Sequence, residues 1–172
     1  NVGLMNTADL LEAVPAAEVP QPPAQVRWKP NVTVAALIER EGRFLLVEED
    51  TSDGLLLNNP AGHLDPGESP LQRVIRETLE ETGWTVRLSA FIGVYQWTAP
   101  DGTAFLRFAF AAAPVEHDPA RPLDTGILRA LWLTPAELQA SAARLRSPLV
   151  WEVVADYLGG HRHPLSLLKE TA

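Results

Sequence analysis

The stretch at residues 62–84, GHLDPGESPLQRVIRETLEETGW, constrains the fold of this chain more than any other part of its sequence. Ser69 can cap a helix, Pro70 suits the first helical position, and Gln72 completes a capping box with Ser69. Gly83 suits the left-handed residue that often follows the end of a helix. The stretch therefore predicts one helix with a defined beginning and a defined end.

This predicted helix has an apolar side and an acidic side. At about 100° per residue, the apolar side carries Leu71, Val74, Ile75, Thr78, Leu79 and Thr82. Glu77, Glu80 and Glu81 gather within about 100° of one another on a different side. Like charges at this spacing weaken a helix by roughly a few tenths of a kcal/mol per pair, so a compensating cation is expected. Mg²⁺ is the natural candidate, because it prefers carboxylate oxygens and leaves room for substrate phosphates.

The charged and glycine positions of the stretch follow a fixed spacing. These positions are Gly62, Glu68, Arg76, Glu77, Glu80, Glu81 and Gly83. The pattern resembles the Nudix box, the signature of the Nudix hydrolase family. Thr78 and Trp84 stand where that signature usually has aliphatic residues, and both are at least partly apolar. A solvated acidic helix is the other interpretation of such a charge run, but it would not require a glycine and an arginine at fixed distances.

The resemblance implies a divalent-metal site on the acidic side of the helix. On the family's pattern, Glu77 and Glu81 are the main ligands of Mg²⁺, and Glu80 is an additional ligand or a partner of a bound water. The main-chain carbonyl of Ala61, next to Gly62, would supply a further oxygen. Mn²⁺ is expected to substitute for Mg²⁺. A metal bound there would activate a water molecule and neutralise phosphate oxygens.

The resemblance also implies which groups act in catalysis. Beside Glu80 and Glu81, the expected catalytic set contains Glu68 and Arg76. A bidentate pair between Glu68 and Arg76 would fix the preceding loop against the helix and orient Glu77. A contact between Glu68 and the metal through water is the alternative.

The general base stays open at this stage. Many members of the family place an acidic residue in the loop before a late strand. Gly126 and Leu128 occupy the nearest expected positions here, which leaves Asp124 and Glu116 as candidates. Glu80 is the third candidate, should neither of them reach the attacking water.

Aromatic and polar side chains elsewhere are candidates for substrate binding. Trp97 and Phe105 can stack on a pyrimidine or another nucleobase, and Arg107 shares a strand face with Phe105. Either aromatic residue could instead belong to the core. His63, beside Gly62, is a candidate phosphate contact, with a role in loop structure as the alternative.

The resemblance continues outside the box, over about residues 28–168. Stretches such as NPAGH at 59–63, QWTAPD at 96–101 and FLRF at 105–108 look like those of bacterial phosphatases of the same family. They imply hydrolysis of hydroxymethylpyrimidine pyrophosphate, thiamin pyrophosphate, and nucleoside di- and triphosphates. The alternatives are a broad nucleoside triphosphate or nucleotide-sugar pyrophosphohydrolase, and a non-catalytic nucleotide-sensing Nudix domain. The intact box glutamates disfavour the sensor.

Strand patterns lie on both sides of the central helix. Alternating apolar residues predict strands at 31–38, 43–47, 55–57, 85–97, 105–113 and 127–133, with a polar loop at 48–54. Thr134-Pro135 and Ser147-Pro148 predict the beginnings of two further helices. This order predicts an α/β fold, and the resemblance implies the Nudix α/β/α sandwich with a mixed sheet. The Nudix domain is expected at 27–172, after an N-terminal Ala/Pro-rich extension at 1–26 in which Met5 is the expected natural start.

Composition limits the partners and the location of the protein. A formal net charge of -8 argues against a nucleic-acid partner, and the absence of cysteine excludes disulfides and thiol catalysis. No segment reaches the ~18 consecutive apolar residues of a membrane span. We therefore expect a cytoplasmic enzyme that binds a small-molecule diphosphate and neither nucleic acid nor a membrane. The sequence leaves the oligomeric state open.

Overall fold

The computed structural model describes residues 27–171, so the predicted extension at 1–26 lies outside the described residues. The strands are β1 (Asn31–Arg40), β2 (Arg43–Thr51), β3 (Gly54–Asn58), β4 (Ala61–His63), β5 (Trp84–Thr98), β6 (Ala104–His117) and β7 (Ile127–Leu133). The helices are α1 (Pro70–Thr82), α2 (Pro135–Ala140) and α3 (Leu149–Leu158), and short 3₁₀ turns occupy Ala142–Arg144 and Leu165–Leu167. The predicted strands and the three predicted helices are all present.

The strands form a mixed sheet. Its order is β3-β2-β1-β6-β5, with β4 paired to β1 and β7 paired to β2. The β1–β6 pair is parallel and the other pairs are antiparallel. The predicted α/β class with a mixed sheet is therefore confirmed.

The core consists of two clusters on opposite faces of the sheet. Alternate residues of a strand point to opposite faces, and β1 shows this directly. Val34 packs in the cluster that contains Val74 of α1, whereas Leu37 packs in the cluster that contains Val150 and Val153 of α3. The helices thus cover both faces, as the α/β/α sandwich requires.

Two details of the strands differ from the sequence-based expectation. The residues of β4 were not expected to form a strand, yet they pair with β1. The expected polar loop at 48–54 is mostly strand, because β2 runs to Thr51 and β3 begins at Gly54. Pairing of β2 with both β3 and β7 satisfies its backbone, and Arg129 and Arg144 form ion pairs with the buried Glu48. The charged residues at 48–50 can therefore remain in an extended strand.

Candidate active site

Helix α1 begins and ends where its capping residues predict. The Ser69 hydroxyl accepts a hydrogen bond from the Gln72 N–H at 3.1 Å, and the Gln72 side chain accepts one from the Ser69 N–H at 3.1 Å. Gly83 follows the helix at φ 72° and its N–H donates to the Leu79 carbonyl. These local bonds fix the rotation and length of α1, and so they fix where its glutamates point.

The buried side of α1 is rotated relative to the one that the apolar periodicity predicts, because Val74, Thr78 and Thr82 are buried as expected but their neighbours differ. Ile75 was expected on the inner side, but it is 38% exposed. Glu77 and Glu81, in contrast, are only 5% and 8% exposed. Because α1 packs against the short strand β4 as well as the sheet core, part of its acidic side turns inward beside Ala61 and Gly62.

Burial raises the pKa of both glutamates. Burial raises the pKa of Glu81 to about 9, although the Ala61 N–H, which donates to its Oε2 at 2.9 Å, opposes this rise. Burial, followed by the charge of Glu80, raises the pKa of Glu77 to about 7. Arg73, one turn before Glu77, forms an ion pair with it. A divalent cation would stabilise the ionised form of both carboxylates.

Gly62 allows the close approach between β4 and α1. A Cβ atom at this position would lie 2.8 Å from Cγ of Glu77 and closer still to its carboxylate. Only a residue without a side chain fits beside the carboxylate. The glycine expected from the spacing therefore has a direct steric role.

Three carboxylates converge at the solvent edge of this region. Oxygens of Glu77, Glu80 and Asp124 lie within 4.8 Å of one another, and the Asp124 N–H donates to the Glu80 carbonyl at 3.1 Å. This oxygen-only donor set suits a hard divalent cation. Glu81 lies outside the group because its carboxylate turns toward Ala61. Glu116, another candidate base, lies on β6 opposite Thr85 and is exposed.

The expected pair between Arg76 and Glu68 is present. Arg76 Nε and Nη2 donate to the two carboxylate oxygens of Glu68 at 2.6 and 2.7 Å, and Arg76 Nη1 donates to Glu80 at 3.0 and 3.2 Å. The Glu68 bonds, followed by those of Glu80, raise the pKa of the Arg76 guanidinium. Arg76 thus links the loop before α1 to the carboxylate group.

All four residues expected to bind substrate line one cavity of about 500 Å³. Trp97 and Phe105 are cross-strand neighbours on β5 and β6, and their rings stack with centroids 5.7 Å apart. His63 lies beside Phe105 at 6.4 Å, and Arg107 is buried. Neither Trp97 nor Phe105 belongs to the two core clusters of the described residues. Ala61 and Gly62 also line this cavity, so it reaches the strand beside the α1 glutamates.

The cavity also contains polar residues that the sequence did not single out. They include Thr33, Glu49, Asn58 and Arg146, together with Ser147, which was expected only at the beginning of a helix. Asn58 stands just before the NPAGH stretch, and Glu49 lies in the run that was expected to be a loop. Once β2 is known to reach Thr51, strand alternation places Glu48 and Glu49 on opposite faces.

Comparison with known proteins agrees with this geometry. The NUDIX domain model matches residues 27–153. The chain belongs to the Nudix hydrolase family. Phosphatase NudJ of Escherichia coli and of Shigella flexneri are each 43% identical to this Nudix hydrolase over 141 residues, which cover 82% of this chain and 92% of the relative.

Solved structures of Nudix proteins have the same fold. A Nudix hydrolase from Nitrosomonas europaea superposes with a TM-score of 0.81 at 48% identity, over 83% of this chain and 98% of that one. A MutT protein from Methanosarcina mazei superposes with a TM-score of 0.65 at 22% identity, over 80% of this chain and 100% of that one. The described helices of this Nudix hydrolase all lack the length and apolarity needed to cross a membrane.

Proposed function

We propose that this Nudix hydrolase uses Mg²⁺ to cleave the phosphoanhydride of small diphosphate compounds that carry an aromatic ring. Hydroxymethylpyrimidine pyrophosphate, thiamin pyrophosphate and nucleoside di- and triphosphates are the expected substrates. The observation that carries this proposal is the position of the Trp97–Phe105 stack in a cavity that reaches Gly62, beside the buried Glu77. A ring on the stack would leave its diphosphate within the acidic region.

The donor atoms of the site fit a hard cation. Glu77, Glu80 and Asp124 present converging oxygens, and Glu81 and the Ala61 carbonyl lie next to them in the fold. When bound, Mg²⁺ would lower the pKa of a water molecule and neutralise phosphate oxygens. Mn²⁺ prefers the same oxygen ligands and is expected to replace it.

The side chains of the site have three further roles: positioning, ring binding and proton transfer. Arg76 and Glu68 hold the loop and Glu80 in place, while Trp97 binds the ring of the substrate. Asp124 is the general base that the geometry favours among the three candidates. Glu80 accepts two hydrogen bonds from Arg76, whereas the Asp124 carboxylate accepts none within the described residues. The Asp124 oxygen that is not offered to the cation therefore stays free to take a proton from water.

A panel of phosphate-release assays with Mg²⁺ tests the reaction class. We expect turnover of the ring-bearing diphosphates, and loss of at least ~100-fold in kcat for Glu81→Gln at saturating Mg²⁺. Activity of Glu81→Gln within threefold of the parent would reject its assignment as a metal ligand. Turnover of nucleoside triphosphates or nucleotide sugars alone would favour the broader hydrolase, and ligand binding without turnover would favour the sensor.

Replacement of Trp97 tests the ring site. Trp97→Ala should raise KM for ring-bearing substrates by a factor that corresponds to about 1–3 kcal/mol. It should leave hydrolysis of inorganic tripolyphosphate, which has no ring, nearly unchanged. Trp28→Ala is the matched control, because Trp28 is 54% exposed and does not line the cavity. Equal damage to both substrate classes would mean that Trp97 has a structural role.

A further inference from the structure

The floor of the cavity is lined by buried polar atoms without partners. Among the described residues, Thr33 Oγ1, Asn58 Oδ1, Ser147 Oγ, and Nε and Nη1 of Arg107 are buried and accept or donate no hydrogen bond within the protein. Buried polar groups in folded proteins are nearly always paired. Their concentration in one cavity indicates that a polar ligand, beyond the stacked ring face, completes this site.

Arg107 is the most unusual member of this floor. It lies near the beginning of β6, paired with Thr33 of β1 and Tyr95 of β5, and it is only 8% exposed. It forms no ion pair with any described residue. Burial lowers the pKa of its guanidinium to about 10, so the group remains a cation at neutral pH. A buried cation without a partner requires an acceptor from the ligand.

Glu49 provides a hydrogen-bond acceptor in the same cavity, whereas Arg107 provides donors. Its Oε1 accepts a hydrogen bond from Asn58 Nδ2 at 3.0 Å. Its Oε2 forms an ion pair with Arg146 Nε at 3.7 Å, a distance that is too long for a hydrogen bond. The Glu49 side chain is 15% exposed, so its Oε2 is able to accept a further hydrogen bond from a ligand.

We propose that Arg107 and Glu49 read the polar edge of the substrate's ring while its face lies against Trp97. Arg107 donates to an acceptor atom on this edge, and Glu49 accepts from an N–H on the same edge, either a ring N–H as in uracil or an exocyclic amino group as in an aminopyrimidine. The ligand class is therefore a nitrogen heterocycle with a donor and an acceptor on one edge, as in nucleobases. This assignment rests on the proposed function and adds the residues that select the ring of the substrate.

A phosphate group fits this floor less well than a ring. The Glu49 carboxylate would repel a phosphate bound at Arg107, and a phosphate dianion has no N–H for Glu49. The acidic group on α1, in contrast, would bind phosphate through a metal. The two ends of the cavity thus suit the two ends of the proposed substrate.

Binding of uridine monophosphate in the presence of a chelator tests the inference without catalysis. Isothermal titration of the full chain should give at least tenfold weaker binding for Arg107→Met and for Glu49→Gln than for the parent. Arg87→Met and Glu152→Gln are matched controls, because both residues are exposed and outside the cavity. With Mg²⁺, the first two variants should raise KM for uridine diphosphate at least tenfold and change tripolyphosphate hydrolysis less than twofold.

A modified ligand tests the inference on the unaltered protein. The 3-methyl derivative of uridine monophosphate lacks the ring N–H, so it should bind the parent at least tenfold more weakly than uridine monophosphate, and this ratio should shrink in Glu49→Gln. Equal binding of the two ligands by the parent would overturn the role of Glu49, whatever the stability of the variants. Loss of tripolyphosphate hydrolysis in parallel with the uridine substrate would place Arg107 or Glu49 at the phosphates instead. Uridine monophosphate binding that depends on both residues, without turnover of any diphosphate, would reject the proposed function and leave the inference standing.

Discussion

Replacement of Gly62 by alanine is the sharpest perturbation of the site. The new Cβ would lie 2.8 Å from Cγ of Glu77 and closer to the carboxylate, whereas ordinary van der Waals contact begins at 3.4 Å. Glu77 is 5% exposed and paired with Arg73, so its side chain has little free space in which to move. The variant should therefore displace one of the carboxylates that form the proposed metal site.

The size of the effect follows from this overlap. Relief of the clash requires a carboxylate shift of about 1 Å, and a misplacement of that size costs roughly 100-fold in rate. We therefore expect kcat to fall about 100-fold, or about 2.7 kcal/mol in the activation barrier. The clash involves side-chain atoms rather than backbone, so the free energy of unfolding should fall by only about 1–3 kcal/mol.

Steady-state kinetics at saturating Mg²⁺ and thermal melting together test this reasoning. Gly93→Ala is the matched control on β5, because its Cβ would lie 3.5 Å from the Tyr95 ring, an ordinary contact. This variant should keep kcat within threefold of the parent. A Gly62→Ala enzyme with unchanged kcat would refute the steric argument, and equal losses in both variants would mean that general damage to the sheet is responsible.

Three further predictions concern charged residues. Arg76→Ala and Glu68→Ala should lose less kcat/KM together than the sum of the single losses, with a coupling of about 0.5–3 kcal/mol, and strict additivity would exclude a joint role. Arg129 and Arg144 hold the pKa of Glu48 below its ordinary 4.5, so its stabilisation is present above that pH and is lost as pH falls through the lowered pKa. Melting temperatures should thus fall more steeply in acid for the parent than for Glu48→Gln, whereas parallel curves would contradict this. In chelator, the raised pKa of Glu81 predicts the reverse, a stability that is complete below pH 4.5 and declines as pH rises towards 9. Glu81→Gln should remove this decline, and a parent protein with pH-independent melting over that range would show that the carboxylate is not desolvated.

Local signals explain why α1 could be predicted from the sequence. Its caps involve residues three or four positions apart, so they act independently of the rest of the fold. The rotation of its buried side could not be predicted equally well. Apolar periodicity treats glutamate as solvated, whereas Glu77 is buried against β4 and Ile75 is exposed. Apolar periodicity assumes that burying a carboxylate costs free energy. A cation bound at the carboxylates would offset this cost, so glutamates of such a site can be buried against the pattern.

Long-range contacts explain what the sequence did not reveal. Trp97 and Phe105 could be placed together, because one hairpin joins their strands across a recognisable turn. Asp124 approaches Glu80 only through a backbone bond between a late loop and α1. Glu49 lies in a part of β2 that pairs with both β3 and the distant β7, and no local pattern signals the pairing with β7.

Strand β4 explains how the two halves of the site can act on one substrate. Its neighbouring residues alternate between faces. Gly62 lies opposite Val34 and faces Glu77, whereas His63 lies opposite Thr33 and faces the cavity. A displacement of β4 should therefore move the proposed metal-binding region and the proposed ring site together, while changes on β5 or β6 should affect only the ring site. Substitutions should accordingly separate by strand, with β4 variants changing kcat and KM together and variants of Trp97 changing KM alone.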